Sequence, residues 1–212
     1  MNIRSIYNNV FVHFRRRRMK KFFALLAPAA NARVLDIGGA PNTWSAESSQ
    51  ASSFPVTLFN VQFAEGHANS GRFTAVQGDA VALPFADKSF DIAFSNSVIE
   101  HMGTWERQQA FAREARRVAG KLWIQTPARS FPVEPHLLAP FIHFLPRGMQ
   151  RLLVRRFTLF GLMNKPTPEQ IDGLLAEIRL LNYREVKQLF PDCRILKERL
   201  LGLTKSYVAV RI

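Results

Sequence analysis

The first residues whose types and spacing suggest chemistry lie in the segment VLDIGGAPNTWS, residues 34–45. A carboxylate, Asp36, stands near the end of a short apolar run, and Gly38 and Gly39 follow shortly after it. Because glycine has no side chain, a glycine turn lets the backbone approach a ligand closely. The segment therefore predicts a ligand-binding loop between a strand and a helix.

The spacing of glycines in this loop argues against a nicotinamide dinucleotide. Such a loop follows the pattern G-x-G-x-x-G, in which the glycines surround a pyrophosphate. Counted from Gly38, the other two glycine positions hold Ala40 and Thr43. A loop that binds a cofactor without a pyrophosphate needs fewer glycines. Residues further along the chain must therefore identify the cofactor.

The string GDAVALPFADKSFDIAFSNSVIEH, residues 78–101, supplies that identification. Asp79 ends one apolar run in it, and Asn96 and Ser97 end the next. Together with the glycine loop, it resembles the class I S-adenosylmethionine-dependent methyltransferases of the type 11 domain family. The resemblance covers about residues 34–127 and implies S-adenosyl-L-methionine as the cofactor.

The resemblance assigns the methionine end of the cofactor to the glycine loop. Asp36 would order the amino group, directly or through water. The backbone of Gly38, Gly39 and Ala40 would lie against the same end of the cofactor. Trp44 is expected to pack in the core, which is the more usual place for an aromatic residue that opens a helix. The alternative is that it lies near the sulfonium through cation–π attraction.

The remaining cofactor contacts follow from the same resemblance. Asn60 stands where the family usually has an acidic residue for the ribose hydroxyls, and an amide lacks the charge that makes such bonds about twice as strong. Asp79 would accept a hydrogen bond from the adenine amine, with the backbone of Ala80 beside the ring. Asn96 and Ser97 would line the methionine end.

Methyl transfer from a sulfonium is an in-line displacement with an activated leaving group. The protein must mainly align the reactants, which can account for about 7–11 kcal/mol. A general base is therefore optional. For a hydroxyl acceptor, the candidates are His101, Glu134 and His136, because these side chains can accept a proton near neutral pH.

Alternating apolar runs and helical patterns from residue 33 onward predict an α/β fold. The expected strands are 33–37, 56–61, 73–79, 90–97, 121–127, 194–200 and 206–212. Helices are expected at 104–118, with Thr104 as its cap, and at about 168–181. The resemblance implies a Rossmann-like, mostly parallel seven-stranded sheet with helices on both faces.

A chain of 212 residues that is 47% hydrophobic predicts one core and one domain. We expect a basic helical extension at 1–32, a cofactor-binding core at 33–127, and a substrate cover with closing elements at 128–212. The cover contains a Pro- and Phe-rich stretch from 130 to about 168. The single cysteine predicts a reducing, cytoplasmic compartment, and the histidine spacing predicts no metal.

The formal net charge is +13, and its densest run comprises Arg15, Arg16, Arg17, Arg18, Lys20 and Lys21. The apolar stretch after it is shorter than the roughly 20 residues that a bilayer requires. A signal peptide is disfavoured, because cleavage after Ala32 would leave nothing before the first strand. The favoured interpretation is a helix at about 13–26 with a solvated basic face and apolar residues on the sheet edge. Peripheral attachment to an anionic membrane is the alternative.

The acceptor is less constrained than the cofactor. Exocyclic amine methylation commonly uses Asn-Pro-Pro-aromatic, where this chain has Asn96-Ser97-Val98, and Cys193 lies far from the cofactor motifs. We therefore expect a small-molecule or lipid- or glycan-linked acceptor rather than nucleic acid. Ribose methylation of RNA and a non-catalytic cofactor-binding module remain alternatives.

Overall fold

The computed structural model describes residues 3–45, 54–63 and 71–212. The helices are α1 (Ile3–Leu26), α2 (Asn42–Ser45), α3 (Trp105–Val118), α4 (Arg147–Phe157), α5 (Leu159–Asn164), α6 (Pro168–Glu177) and α7 (Tyr183–Leu189). The strands are β1 (Val34–Ile37), β2 (Val56–Asn60), β3 (Phe73–Gln77), β4 (Phe90–Asn96), β5 (Ala119–Pro127), β6 (Val133–Glu134), β7 (Ala139–Pro140), β8 (Arg194–Leu200) and β9 (Leu203–Arg211). Residues 1–2 of the expected basic extension lie outside the described ranges.

Seven strands form one sheet in the order β3-β2-β1-β4-β5-β9-β8. The first five are parallel, and β9 runs antiparallel to both β5 and β8. Apolar residues fill both faces of the central strands, as a covered parallel sheet requires. The predicted fold class is therefore confirmed, and each of the seven expected strands is present within a few residues of its expected bounds.

The basic helix α1 lies across one face of the sheet, not along its edge as the sequence suggested. It also begins at Ile3, ten residues earlier than expected. Phe22 is fully buried and makes edge-to-face contacts with Phe94 and Trp123, at centroid distances of 5.4 and 5.7 Å. Burying this large aromatic against the face stabilises the helix more than an edge contact would, because more apolar area leaves water.

The other face of the sheet is covered by α3 and α7. The hydroxyl of Thr104 accepts a hydrogen bond from the backbone N–H of Arg107, which confirms the predicted cap. Helix α7 was not predicted, although Asn182 and Glu185 form a capping box at its start. The pattern Asn-x-x-Glu is a sequence signal for such a start. Helix α6 ends at Glu177, earlier than expected, and a short connection leads to α7.

Residues 128–178, the first part of the segment in which the cover is expected, combine short strands, a single 3₁₀ turn and helices α4 to α6. As expected, this stretch is neither one strand nor one long helix. It has a small apolar core of its own, made of Leu137, Ala139, Ile142, Val154, Ile171 and Leu175. Among the described residues, no helix is both long and apolar enough to cross a membrane.

Candidate cofactor and acceptor site

The carboxyl ends of β1 and β4 define the crevice in which ligands bind in an open parallel sheet. The sheet order reverses here, because β1 leads outward to β2 while β4 leads to the other side. Ile37 pairs with Ser95 in register, so the loops that follow both strands start side by side. Such a reversal is the usual place for a ligand. The topology thus brings the glycine loop and Asn96 to one edge.

Asp36 lies beneath the glycine loop and is 1% exposed. Its carboxylate accepts a hydrogen bond of 2.7 Å from Nε1 of Trp44. Burial raises the pKa of Asp36 to about 7, and the hydrogen bond from Trp44 offsets part of that rise. Trp44 itself is 2% exposed and packs in the core, so the core interpretation of this aromatic residue is confirmed.

Two glycines shape the turn above Asp36. Gly38 has a φ of +77°, and its N–H donates to the carbonyl of Phe59 at 2.6 Å. A Cβ on Gly38 would overlap the side chain of Val98, and a Cβ on Gly39 would overlap the carboxyl group of Asp36. The turn therefore requires glycine at both positions, whereas Ala40 is exposed.

Asn60, at the end of β2, is half-buried. Its side-chain oxygen accepts a hydrogen bond of 2.9 Å from the N–H of Val61. This contact holds the amide at the end of β2, where the resemblance implies a ribose contact. The second outer strand, β3, ends one residue before Gly78.

Asp79 follows β3 and is partly exposed. It accepts hydrogen bonds from the guanidinium of Arg107 at 2.8 Å and from the N–H of Val81 at 3.2 Å. The hydrogen bond from Arg107 is the main reason that the pKa of Asp79 lies below its ordinary value. Sequence reasoning missed Arg107, because it lies on α3 far along the chain. Ala80 beside Asp79 is buried.

Arg18 of α1 reaches the carboxyl ends of β4 and β5. Its guanidinium donates to the side-chain oxygens of Asn96 and Gln125, the second at 3.0 Å. It also forms a two-pronged ion pair with Glu198 of β8 at 3.0 and 2.7 Å. Arg18 is 5% exposed, so the expected solvated basic face is wrong at this residue. Ser97 joins the network through its hydroxyl, which donates to Gln125 at 3.0 Å.

The negative charge of Glu198 offsets the cost of burying the positive charge of Arg18. Burial alone would raise the pKa of Glu198, but the hydrogen bonds and charge of Arg18 outweigh it and hold the pKa below its ordinary value. The hydroxyl of Ser206 donates to the same carboxylate. A buried charge pair with additional hydrogen bonds is the arrangement that makes such burial tolerable.

His101 and His136, two of the three expected base candidates, lie side by side. His101 lies in the 3₁₀ turn Ile99–Met102 after β4, and His136 lies in the cover. Their rings pack edge to face with centroids 4.8 Å apart. Nδ1 of His101 is 2.7 Å from the carboxylate of Glu177, and Nδ1 of His136 is 2.6 Å from that of Glu134. Glu134, the third base candidate, is thus the hydrogen-bond partner of His136.

Glu100, next to His101, is fully buried at the same place. One carboxylate oxygen accepts a hydrogen bond of 2.9 Å from the hydroxyl of Thr126. The other oxygen, Oε1, has no hydrogen-bond partner among the described residues. Burial raises the pKa of Glu100. Sequence reasoning did not single out Glu100, although it directly precedes a histidine after a strand end.

A cavity of about 360 Å³ lies between the cover and the end of α6. Arg129, Arg147 and His143 line it together with Glu134 and apolar side chains. Arg129 follows β5 directly, so this cavity adjoins the edge of the sheet that carries the other site residues. Its lining combines positive charge with apolar surface.

Residues 44–121 match the family model described as a methyltransferase domain. A curated protein of Encephalitozoon cuniculi, named as a methyltransferase, is 46% identical to this chain over 43 residues. That segment is 20% of this chain and 20% of the curated relative.

Solved structures with the same fold share little sequence with this chain. The 1,6-didemethyltoxoflavin-N1-methyltransferase of Burkholderia thailandensis is 14% identical, with a TM-score of 0.55 over 92% of this chain and 76% of that one. A Pyrococcus horikoshii protein is 17% identical, with a TM-score of 0.54 over 94% of this chain and 89% of that one. At these identities the likeness establishes the fold.

The fold and the family match agree with each other. The chain has the Rossmann-like fold of solved methyltransferases, and its residues 44–121 match the methyltransferase domain.

Proposed function

We propose that the protein transfers a methyl group from S-adenosylmethionine to a small-molecule or lipid- or glycan-linked acceptor. The observation that carries this proposal is the glycine turn closed over Asp36 at the reversal point of the sheet. The turn presents backbone atoms that a ligand can approach closely. The solved Burkholderia thailandensis relative holds S-adenosylhomocysteine, the product form of the cofactor, which supports the same choice.

The methionine end of the cofactor is assigned to the turn and to β4. Ionised Asp36 would attract the cationic amino group, while Gly38, Gly39 and Ala40 supply backbone surface. Asn96 ends β4 and Ser97 follows it, and both are proposed to line the same end of the cofactor. Arg18 donates a hydrogen bond to Asn96 and also binds Gln125 and Glu198. This network restricts the side chain of Asn96.

The adenosine end is assigned to the next two strands. Asn60 would hold the ribose hydroxyls through its amide. Asp79 would accept a hydrogen bond from the adenine amine, with Ala80 beside the ring. Because Arg107 already occupies part of the Asp79 carboxylate, the adenine amine would share this acceptor with Arg107. Carboxylates have enough lone pairs for both.

Calorimetric titration with S-adenosylmethionine tests the cofactor site. We expect one cofactor per chain, and we expect Gly39→Ala to weaken binding at least tenfold, because the added methyl group collides with Asp36. Gly173→Ala is the matched control, since a Cβ there meets nothing within 4 Å. The proposal fails if wild-type protein shows no heat at millimolar cofactor, or if both alanine variants bind like wild type.

The cover supplies the argument for an apolar or anionic acceptor. Seven large apolar side chains along residues 141–163 are exposed: Phe141, Phe144, Met149, Leu152, Phe157, Leu162 and Met163. Arginines 147, 151, 155 and 156 are interspersed with them on α4 and are exposed as well. Exposed apolar surface that is interleaved with arginine is typical of proteins that lie on anionic membranes. We propose peripheral contact with such a membrane through this surface, assisted by α1.

Of the six basic residues counted in the α1 run, five remain exposed, because Arg18 is buried. At about 1 kcal/mol for each basic residue near an anionic surface, the remaining charges suffice for reversible attachment.

Flotation with vesicles of phosphatidylcholine, with and without phosphatidylserine, measures this membrane attachment. We expect binding only with phosphatidylserine, and we expect Leu152→Glu to reduce it. Leu201→Glu, on the exposed turn before β9, is the matched control. Binding to neutral vesicles alone, or no binding, would contradict the proposal.

The chemical step needs little from the protein beyond alignment, and His101 and His136 are the proposed proton acceptors for a hydroxyl substrate. Extracts incubated with isotopically labelled cofactor would reveal the acceptor as a product that gains one methyl group. A labelled RNA ribose would favour the nucleic-acid alternative. Cofactor binding without any labelled product would favour the non-catalytic alternative. The whole chain is proposed to act as a single domain, with the extension at 1–32, the core at 33–127 and the cover and closing elements at 128–212.

A further inference from the structure

The geometry points to a divalent cation site formed by Glu100, His101 and His136. Each of the three residues offers one ligand atom, and these atoms lie within 4.8 Å of one another. Two imidazoles and one carboxylate are a donor set that binds Mn²⁺, Fe²⁺ or Zn²⁺. The sequence had predicted no metal from cysteine and histidine spacing, because only the fold brings His136 to Glu100 and His101.

The orientation of both histidines supports the site. Nδ1 of His101 faces Glu177, and Nδ1 of His136 faces Glu134. A carboxylate accepts the Nδ1 proton, so the neutral imidazole keeps its free lone pair on Nε2. Metal-binding histidines almost always have such an oxygen partner on the other ring nitrogen, which fixes the tautomer and the direction of the ring. Both rings in this cluster have that partner.

Glu100 provides an independent observation. It is fully buried, and its Oε1 has no hydrogen-bond partner among the described residues. An unpaired buried carboxylate oxygen is costly, so such an atom calls for an explanation such as a bound ion. A cation between the two imidazoles would supply the missing partner. The hydroxyl of Thr126 holds the other oxygen in place.

The spacing of the cluster requires a modest contraction on binding. With metal–ligand bonds of about 2.1 Å, ligand atoms lie no more than about 4.2 Å apart. The separations in the cluster, all within 4.8 Å, therefore exceed this limit by about 0.6 Å at most. The side chains of His101 and His136 remain 30% and 20% exposed, which leaves them room to adjust and leaves coordination positions open.

A cation here would change the proposed role of the two histidines. A metal-bound Nε2 has no lone pair for a proton, so neither His101 nor His136 would act as the general base. Instead the cation would lower the pKa of a bound water or hydroxyl group. This consequence rests on the proposed methyl transfer, whereas the cation site itself does not.

Titration of chelator-treated full-length protein with Mn²⁺ alone, followed by electron paramagnetic resonance of the free ion, tests the site. We expect one Mn²⁺ per chain. His101→Gln and His136→Gln should each weaken binding by more than tenfold, and Glu134→Gln by about 10- to 100-fold as a partner of a ligand. His143→Gln is the matched control, because His143 lies outside the cluster and should bind as wild type does.

A parallel thermal melt separates loss of the site from loss of the fold. Mn²⁺ should raise the melting temperature of wild type and His143→Gln, since a ligand that binds only the folded state stabilises it. It should not raise that of His136→Gln. No saturable binding by wild type, or equal binding by all variants, would overturn the assignment. Because cofactor binding is measured separately, a positive Mn²⁺ titration without cofactor binding would reject the proposed function and keep the cation site.

Discussion

Replacement of Arg18 by Met tests whether α1 is fixed to the sheet by a buried ion pair. The variant would leave the carboxylate of Glu198, which is 9% exposed, without its cationic partner. Loss of one member of a buried pair costs about 3–5 kcal/mol, because the remaining charge stays desolvated. The apolar part of Met replaces much of the stem of Arg18, so lost packing contributes little. We therefore expect the free energy of unfolding to fall by about 3–5 kcal/mol.

Urea unfolding of four proteins measures this effect: wild type, Arg18→Met, Arg18→Met with Glu198→Met, and Arg17→Met. The double variant should regain most of the loss, because neither member of the Arg18–Glu198 pair then stays buried without the other. Arg17 is exposed, and its replacement should change stability by less than about 0.5 kcal/mol. A cost below about 1 kcal/mol for Arg18→Met would refute the buried pair, since that is the range of exposed ion pairs.

The same pair should respond to acid in a defined direction. The folded-state pKa of Glu198 lies below its ordinary value of 4.5. A carboxyl group with a lowered pKa stabilises the fold above its unfolded-state pKa, and this contribution is lost as the pH falls through the folded-state pKa. The stability difference between wild type and the double variant should therefore change below about pH 4.5, and not above it.

Three further predictions concern other parts of the molecule. Asp36→Asn should stabilise the protein above pH 7. The pKa of Asp36 is raised to about 7, so its stabilising contribution, present at low pH, is lost as the pH rises through that value. If Asp36 titrates normally, urea unfolding at acidic and alkaline pH would show no such gain in the free energy of unfolding. Phe22→Ala should cost about 3–5 kcal/mol, since a fully buried ring leaves a cavity beneath α1, and a melting temperature equal to that of Phe23→Ala, whose ring is only half-buried, would contradict this packing. Thr104→Ala should cost about 1 kcal/mol through loss of the α3 cap, and Thr104→Ser should restore most of it in the same denaturant assay.

The sheet could be predicted from the sequence because its signals are local. Short apolar runs bounded by Gly, Pro and Asp gave all seven strands of the main sheet, and their continuity indicated a parallel arrangement. Thr104 and the apolar spacing of α3 likewise act within one turn of their own helix. Such signals require no knowledge of distant contacts.

The features that were missed depend on contacts between distant segments. Arg18 looks like its exposed neighbours in the sequence, and only the partner on β8, 180 residues away, makes its burial possible. Helix α1 was placed on the sheet edge because periodicity shows an apolar stripe but not the surface it covers. Helix α7, by contrast, had a readable capping signal at Asn182 and Glu185 that was overlooked.

Within the candidate site, the sequence indicated the strand ends but not the shared environment behind them. Asp36 was expected to face a ligand, yet its carboxylate is also held by Trp44 inside the core. Glu100 was not singled out at all, because its importance comes from the neighbouring His136 of the cover. Residues separated by dozens of positions reach one place only when β4, β5 and the cover are assembled.

A crystal structure of the complex with S-adenosylhomocysteine tests the central claim most directly. We expect one molecule at the carboxyl ends of β1 to β4, with its amino end at the turn over Asp36, its ribose beside Asn60 and its adenine between Asp79 and Ala80. A ligand bound elsewhere on the chain, or crystals grown with saturating ligand that show none in this crevice, would contradict it.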